Sequence, residues 1–267
     1  MRLIVNKSCL INKKKYRKEK IKLIIYQIIL LLSFLTIWEL LAYYNVINTF
    51  IFSKPSDIFE LLVEYIKTNE IFRHITVSLI ETLLGIIIGT SVGILIAILL
   101  WYFETLQKIL NPFLSVLNAL PKTALAPIMI IWAGAGMSGI VVVAISILLI
   151  ITVLSTYNYF INVDKEKIRM LESFKASKIQ IFYKFIFPSN IKNIFNVIKI
   201  NVGMSWVGVI VGEFLVSKEG LGYLIMYGGQ VFKLDLVMMG VIVLAILAFI
   251  MSAIIDWFEK KLIKGRD

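Results

Sequence analysis

Six apolar stretches of twenty residues or more, joined by shorter polar segments, dominate this chain of 267 residues. Each can cross a bilayer as a helix, because about 20 apolar residues span its hydrocarbon core. Hydrophobic residues make up 59% of the chain, above the roughly 45–50% of soluble domains. The sequence therefore predicts an all-α polytopic membrane protein with about six transmembrane helices. The predicted spans are residues 21–44, 75–101, 111–133, 140–160, 194–214 and 236–255.

Basic residues are concentrated in alternate connecting segments. Nine of the 28 Lys and Arg residues fall within residues 1–22, and eight more fall within residues 165–199. Segments 43–74 and 213–235 are slightly acidic. Because basic loops stay in the cytoplasm, we expect a multi-pass protein of the bacterial inner membrane with both termini cytoplasmic. The net charge of +11 then reflects membrane topology and not nucleic-acid binding.

The expected organisation has four parts. Residues 1–20 are a basic cytoplasmic segment, and residues 21–74 hold the first span and an outer amphipathic helix. Because no small-residue cleavage site follows it, the first span is expected to be retained and not removed as a signal peptide. Residues 75–256 form the membrane core, with a cytoplasmic loop at about 162–193, and residues 257–267 are a cytoplasmic tail.

The inventory of reactive residues argues against catalysis. Cys9 and His74 are the single cysteine and histidine, too few for a metal cluster within this chain. Residues 134–139 read GAGMSG, but they stand between two apolar spans, so they predict a tight turn and not a dinucleotide site. The sequence has no phosphate-binding G-x-x-x-x-G-K-[ST] motif. We expect no enzyme activity, cofactor or metal, and any ATP hydrolysis must come from another subunit.

Polar and helix-breaking residues in the spans are candidates for the transport pathway. Glu39 and Glu81 are placed near the outer ends of their spans, where a carboxylate reaches water; a substrate or gating role is the alternative. His74 is expected to be interfacial. Pro121 and Pro127 are expected to break the third span, and the freed backbone groups must be buried or line a cavity. Residues 119–127 are therefore predicted to line the pathway.

Small residues recur four apart in the second span and again in the fifth. This spacing lets helix backbones approach closely, so packing within the bundle is the preferred interpretation and lining of a substrate path the alternative. The residues are Gly85, Gly89, Gly93 and Ala97, followed by Gly208 and Gly212.

The cytoplasmic loop predicts two short helices joined by an exposed turn. Residues 164–174 form the first, and Ser177 with Gln180 makes an S-x-x-Q capping box that starts the second. Pro188 is expected to end the second helix, whose apolar face is Ile181, Phe182, Phe185 and Ile186. Apolar residues at an exposed turn favour a protein partner; a connector lying on the membrane surface is the alternative.

Several segments together resemble the permease subunits of ATP-binding-cassette importers. Residues 176–182 (ASKIQIF) with Phe187 and Pro188 resemble their cytoplasmic loop, E-A-A-x-x-x-G-A-S followed by L-P. Further segments resemble those of the nitrate, sulfonate and taurine branch of these permeases, and they occur in the order typical of that branch. They are 55–56 (PS), 119–127 (ALPKTALAP), 131–136 (IWAGAG), 206–214 (WVGVIVGEF) and 220–225 (GLGYLI).

The loop departs from the family pattern at four positions. The family Glu falls at Arg169, its two Ala at Met170 and Leu171, and its Gly at Lys175. A glycine there suits a left-handed helix C-cap, and a lysine adopts that conformation at a cost of about 1 kcal/mol.

The resemblance implies a type I importer permease fold, a permease homodimer, cytoplasmic ATP-binding subunits and an extracytoplasmic solute-binding protein. It implies import of a small solute, either a nitrate-, sulfonate- or taurine-like anion or a thiamine-related pyrimidine. The altered loop slightly favours the pyrimidine. The expected ATPase-coupling residues are Leu171, Glu172, Ser173, Phe174, Lys175, Ala176, Ser177, Gln180 and Pro188. The pathway candidates are Pro121, Ala124, Ala126, Pro127, Trp206 and Glu213. The alternatives are a secondary transporter, an intramembrane enzyme or another polytopic protein without an ATPase partner.

Overall fold

The computed structural model describes the backbone of residues 2–263 and the side chains of residue 19 and residues 21–262. The side chains of the basic segment 1–20, Glu19 excepted, and the tail residues 264–267 lie outside the described part. The described backbone is helical, without strands. The helices are α1 Arg2–Tyr43, α2 Thr49–Phe52, α3 Pro55–Lys67, α4 Glu70–Tyr102, α5 Glu104–Ala119, α6 Ala126–Ala133, α7 Met137–Ile161, α8 Lys165–Ser173, α9 Lys178–Ile181, α10 Phe187–Ser189, α11 Ile191–Val216, α12 Leu221–Gln230 and α13 Leu234–Ile263. A 3-10 turn covers Lys122–Leu125 and a π-helical turn Phe182–Ile186.

Among the described residues, five helices are long and apolar enough to cross a membrane. They are Ile21–Tyr43, Glu70–Tyr102, Met137–Ile161, Ile191–Val216 and Leu234–Leu262. They correspond to the first, second, fourth, fifth and sixth predicted spans. Residues 134–136 form a turn before α7, with Gly134 and Gly136 at positive φ, and the rest of the predicted turn, residues 137–139, lies in the first turn of α7.

The third predicted span is bent. Its residues belong to α5 and α6, which meet at an angle of 86°. If this bent pair is one span, the described helices form six spans. The interruption lies at Pro121, which has no N–H to continue a helical ladder. Pro127 was expected to break the helix, but it does not. It lies in the first turn of α6, where the backbone N–H needs no helical partner.

The chain divides into two compact units, residues 1–63 and 64–267. In the first, the Glu39 carboxylate accepts hydrogen bonds from the backbone N–H and the hydroxyl of Ser56, at 3.1 and 2.8 Å. These bonds satisfy an otherwise unpaired donor in the first turn of α3. Glu39 is therefore a local partner of the α3 N-terminus.

The second unit is built around α4, α7 and α11, which pack against one another, with α12 on α13 and α6 on α7. Glycines lie where these helices approach most closely. A Cβ on Gly208 would stand 2.5 Å from the Cα of Ala144, and one on Gly93 would stand 2.7 Å from the Cβ of Thr152. Gly85, Gly89 and Gly212 also lie against α7, so all five glycines occupy helix contacts.

A buried amide links the same three helices. Asn201 on α11 donates from its side-chain nitrogen to the hydroxyls of Thr90 on α4 and Thr152 on α7, at 2.8 and 2.9 Å. Hydrogen bonds between membrane helices contribute about 0.6–2 kcal/mol each. This junction fixes the register of the three helices near the middle of the bundle.

Candidate functional site

The turn between α8 and α9 has a defined backbone geometry. Lys175 has φ +58°, its N–H donates to the Glu172 carbonyl at 2.8 Å, and the Ala176 N–H donates to the Leu171 carbonyl at 3.1 Å. These two bonds are the Schellman termination of a helix, which requires a left-handed residue at this place. The predicted left-handed cap is therefore present, with lysine where the importer family has glycine.

Side chains cap both helices of this loop. The Asp164 carboxylate accepts from the backbone N–H groups of Lys167 and Glu166 at the start of α8, and these bonds lower the pKa of Asp164, with Lys167 contributing most. Ser177 and Gln180 form the predicted reciprocal capping box at the start of α9. The caps fix the directions of the two helices on either side of the turn.

The sequence had indicated that the second helix of the loop ends at Pro188, but it ends one residue later, at Ser189. It passes through the π-helical turn, in which the Phe187 N–H donates to the Phe182 carbonyl five residues earlier, and continues through α10 to Ser189. Pro188 lies in the first turn of α10, and the wider turn before it accommodates the missing N–H.

The helix pair packs firmly on one end of the bundle. Phe182 and Ile186 are buried in a cluster with Ala97 of α4 and Phe160 of α7. Partly buried residues of the first loop helix and the turn extend it: Ile168, Leu171 and Ala176. The Lys178 ammonium donates to the Tyr102 carbonyl at 2.8 Å and lies 5.5 Å from the Trp101 ring centroid. The loop therefore contacts the ends of both α4 and α7.

The outermost residues of the turn are free of the bundle. Phe174 is 75% exposed, and Glu172, Ser173, Lys175 and Ser177 are exposed beside it. An exposed aromatic ring on a rigid turn is the chemistry of an anchor that fills a groove in another protein.

A second polar cluster lies at the other end of α4 and α11. The Glu213 carboxylate is 1% exposed and accepts hydrogen bonds from the Ser78 hydroxyl and from the backbone N–H groups of Gly222 and Tyr223. A Cβ on Gly220, whose φ is +106°, would collide with this carboxylate. The cluster therefore fastens the α11–α12 loop to α4.

Two acidic residues are buried in the bundle. Glu81 was expected near water, but it is 2% exposed and interacts with the Glu213 carboxyl, with no partner for its Oε2 among the described residues. Glu213 was predicted at the end of the fifth span, where the acidic outer segment begins, and as a pathway candidate; it lies within α11. Hydropathy could not reveal that the carboxyl groups of Glu81 and Glu213 are buried together. The available signal was an acid at the end of an apolar run followed by glycines at 220 and 222, which make room for its side chain.

The pathway candidates fall into two groups. Pro121, Ala124 and Pro127 are exposed at the α5–α6 bend. Ala126 is 0% exposed and packs with Ile130, Val143 and Ile147, and Trp206 and Glu213 are buried too. The first group faces open space, whereas the second lies inside the packed bundle.

Comparison with known proteins decides the family. The profile of the family described as binding-protein-dependent transport system inner membrane component matches residues 85–264. The chain belongs to this family. The protein is thus a transport permease of the importer class, a membrane component and not an enzyme.

Curated relatives align over most of the permease. An aliphatic sulfonates transport permease protein of Bacillus subtilis is 27% identical, with 87% of this chain and 84% of that protein covered. The taurine transport system permease protein of Escherichia coli is 23% identical, with 98% and 97% covered. The formylaminopyrimidine transport permease protein of Halalkalibacterium halodurans is 26% identical, with 72% and 76% covered.

The fold agrees with a solved transporter. The permease superimposes on a chain of the inward-facing MetNI methionine ABC transporter with a TM-score of 0.61 at 15% identity, covering 71% of this chain and 92% of that one. At this identity the likeness concerns the fold alone. It agrees with the expected importer-permease architecture.

Proposed function

We propose that two copies of this permease form the membrane pathway of an importer driven by separate cytoplasmic ATPases. The observation that carries this proposal is the rigid, exposed α8–α9 turn. Phe174 projects from it for a partner, while the residues immediately behind it are packed against α4 and α7. The turn includes Leu171, Glu172, Ser173, Lys175, Ala176 and Ser177. Gln180 caps the second helix beside it, and Pro188 lies near the far end of that helix.

In this mechanism the ATPase moves the turn, and the turn moves the bundle. The Lys178–Tyr102 hydrogen bond and the Phe182 cluster are the connections to α4 and α7. Because α4, α7 and α11 are held together by close glycine contacts and the Asn201 amide, they shift as one body. ATP binding selects one of two arrangements of this body, open to one side of the membrane or to the other.

The orientation of the permease in the membrane follows from the charge distribution. Residues 1–22 and the loop around α8 and α9 carry most of the basic residues, and such segments stay cytoplasmic. We therefore place both termini and the ATPase-binding turn in the cytoplasm. The Glu213 cluster then lies at the outer end, where an extracytoplasmic binding protein delivers the solute.

The solute class is taken from the relatives. Their names specify aliphatic sulfonates, taurine and formylaminopyrimidine. We propose a small solute of the same range, a sulfonate- or taurine-like anion or a thiamine-related pyrimidine. The pathway residues we retain are Pro121, Ala124 and Pro127, because they are exposed at the α5–α6 bend.

Reconstitution tests this function. The permease is placed in liposomes with the ATP-binding subunit that copurifies with it and the binding protein, and uptake of labelled taurine, an alkanesulfonate and an aminopyrimidine is measured. We expect uptake of one of them to require ATP, the ATP-binding subunit and the binding protein. Uptake by the permease alone, driven by an ion gradient, would identify a secondary transporter and contradict the proposal.

A further inference from the structure

A cavity of about 380 Å³ opens beside the Glu213 cluster, between the first turns of α4, the α11–α12 loop and α12. Pockets for small molecules measure about 300–1,000 Å³, so this one suits a small solute. Its polar lining is contributed chiefly by Tyr65, Glu70, His74, Lys218, Tyr223 and Tyr227.

The walls of this cavity are held in place from behind. The Gly220 N–H donates to Nδ1 of His74 at 3.0 Å, and the Leu221 N–H donates to the Ser78 hydroxyl at 2.8 Å. Arg73 and Glu219 form an ion pair across the same junction. A preformed site of this kind avoids the ordering cost of binding.

Two opposite charges in the lining are left for a ligand. Within the described part of the chain, neither the Lys218 ammonium nor the Glu70 carboxylate belongs to an ion pair, whereas Arg73 and Glu219 neutralise each other. The cavity thus offers one positive and one negative group. A zwitterion can pair with both groups, whereas a simple anion can pair with Lys218 alone.

The remaining lining groups supply rings and hydrogen-bond donors. His74 stacks on Tyr223 with ring centroids 6.0 Å apart, and Tyr223 stacks on Tyr227 at 5.8 Å. Because Nδ1 of His74 accepts the Gly220 N–H, the neutral ring carries its proton on Nε2. Burial, followed by the nearby Glu70 carboxylate, raises the pKa of the Tyr65 hydroxyl, which therefore remains a donor. Such donors suit the oxygens of a sulfonate or carboxylate.

We infer that this cavity binds a small zwitterion with an ammonium group and an oxyanion, an aminosulfonate or amino-carboxylate, as it enters the permease. The oxyanion pairs with Lys218 and the tyrosine hydroxyls, while the ammonium pairs with Glu70 beside the aromatic rings. This inference rests on the proposed import function, which it deepens by naming the class of solute.

Direct binding to the permease tests the inference separately from transport. The full chain is placed in lipid nanodiscs without ATPase or binding protein, and calorimetric titrations use taurine and β-alanine as zwitterions. Ethanesulfonate lacks the ammonium, ethylammonium lacks the oxyanion, and a neutral aminopyrimidine lacks both. We expect a zwitterion to bind and the three other probes to bind at least about tenfold more weakly, since each loses a charged contact.

Paired variants locate the site. Lys218→Gln and Glu70→Gln should each weaken zwitterion binding by about tenfold. Lys233→Gln and Glu60→Gln, which make the same charge changes outside the cavity lining, should leave it unchanged. Absence of zwitterion binding, equal binding of ethanesulfonate or the aminopyrimidine, or equal loss in the control variants would overturn the inference. ATP-driven uptake could still succeed in that case, so the two proposals fail separately.

Discussion

The Lys178 ammonium donates to the backbone carbonyl of Tyr102, the last residue of α4, at 2.8 Å. This bond joins the second helix of the loop to a membrane helix at the point where that helix ends. It satisfies a terminal carbonyl that has no helical partner, and it places a cation at the negative end of the helix dipole.

Replacing this lysine should separate ATPase binding from transport. Lys178→Met keeps the aliphatic stem but loses the charged bond, which we expect to cost about 1 kcal/mol at this partly exposed position. The ATPase should still copurify, while uptake per ATP hydrolysed should fall. Lys184→Met, at an exposed lysine of the same helix, is the control. Equal uptake per ATP hydrolysed in the two variants would argue against a role for the Lys178–Tyr102 hydrogen bond in coupling.

Restoring glycine at the left-handed position should stabilise the loop. Lys175→Gly relieves about 1 kcal/mol of backbone strain, and uptake should be unchanged or higher. Lys175→Ala removes the same charge but keeps the strain, so it should show no gain in thermal stability over the parent. An equal gain in thermal stability in both variants would show that the effect comes from loss of the lysine charge.

The contact between α11 and α7 depends on a missing side chain. Gly208→Ala would press a methyl group against the Ala144 backbone, and overpacking of this kind costs about 1–3 kcal/mol. Gly203, on the same helix, has open space around it, so Gly203→Ala should be neutral or stabilising. Thermal unfolding in one detergent compares the pair, and equal melting temperatures would contradict the packing.

Two neighbouring alanines distinguish pathway from packing. Ala124 is exposed at the bend, so Ala124→Trp should reduce uptake while insertion, stability and ATPase binding stay normal. Ala126 is buried, so Ala126→Trp should lower stability first. Ala124→Ser is the control for the exposed site. Full uptake with Ala124→Trp would exclude this bend from the pathway.

The sequence predicted what depends on local pattern. Hydropathy located five spans, and the S-x-x-Q spacing located the cap at Ser177. It missed features that depend on contacts between distant segments. The burial of Glu81 and Glu213 requires Ser78 and the 220–223 backbone to meet them. The break at Pro121 was predicted, but its angle of 86° depends on the packing of α6 on α7. Neither is encoded in the periodicity of one helix.

We propose that the ATPase drives the permease through the α8–α9 turn. Phe174→Ala removes the exposed ring without touching the Schellman bonds or the buried cluster, so the permease should insert and dimerise normally. Ser177→Ala should be milder, because losing a helix cap costs about 0.5–2 kcal/mol without removing the anchor. Tyr183→Ala, at a second exposed aromatic of the loop, is the control for loss of ring surface.

Copurification of the ATP-binding subunit with tagged permease, measured alongside ATP-driven uptake for each variant, tests this role of the turn. We expect Phe174→Ala to release the ATPase and abolish uptake, while Tyr183→Ala retains both. A full complement of ATPase and normal uptake with Phe174→Ala would contradict it.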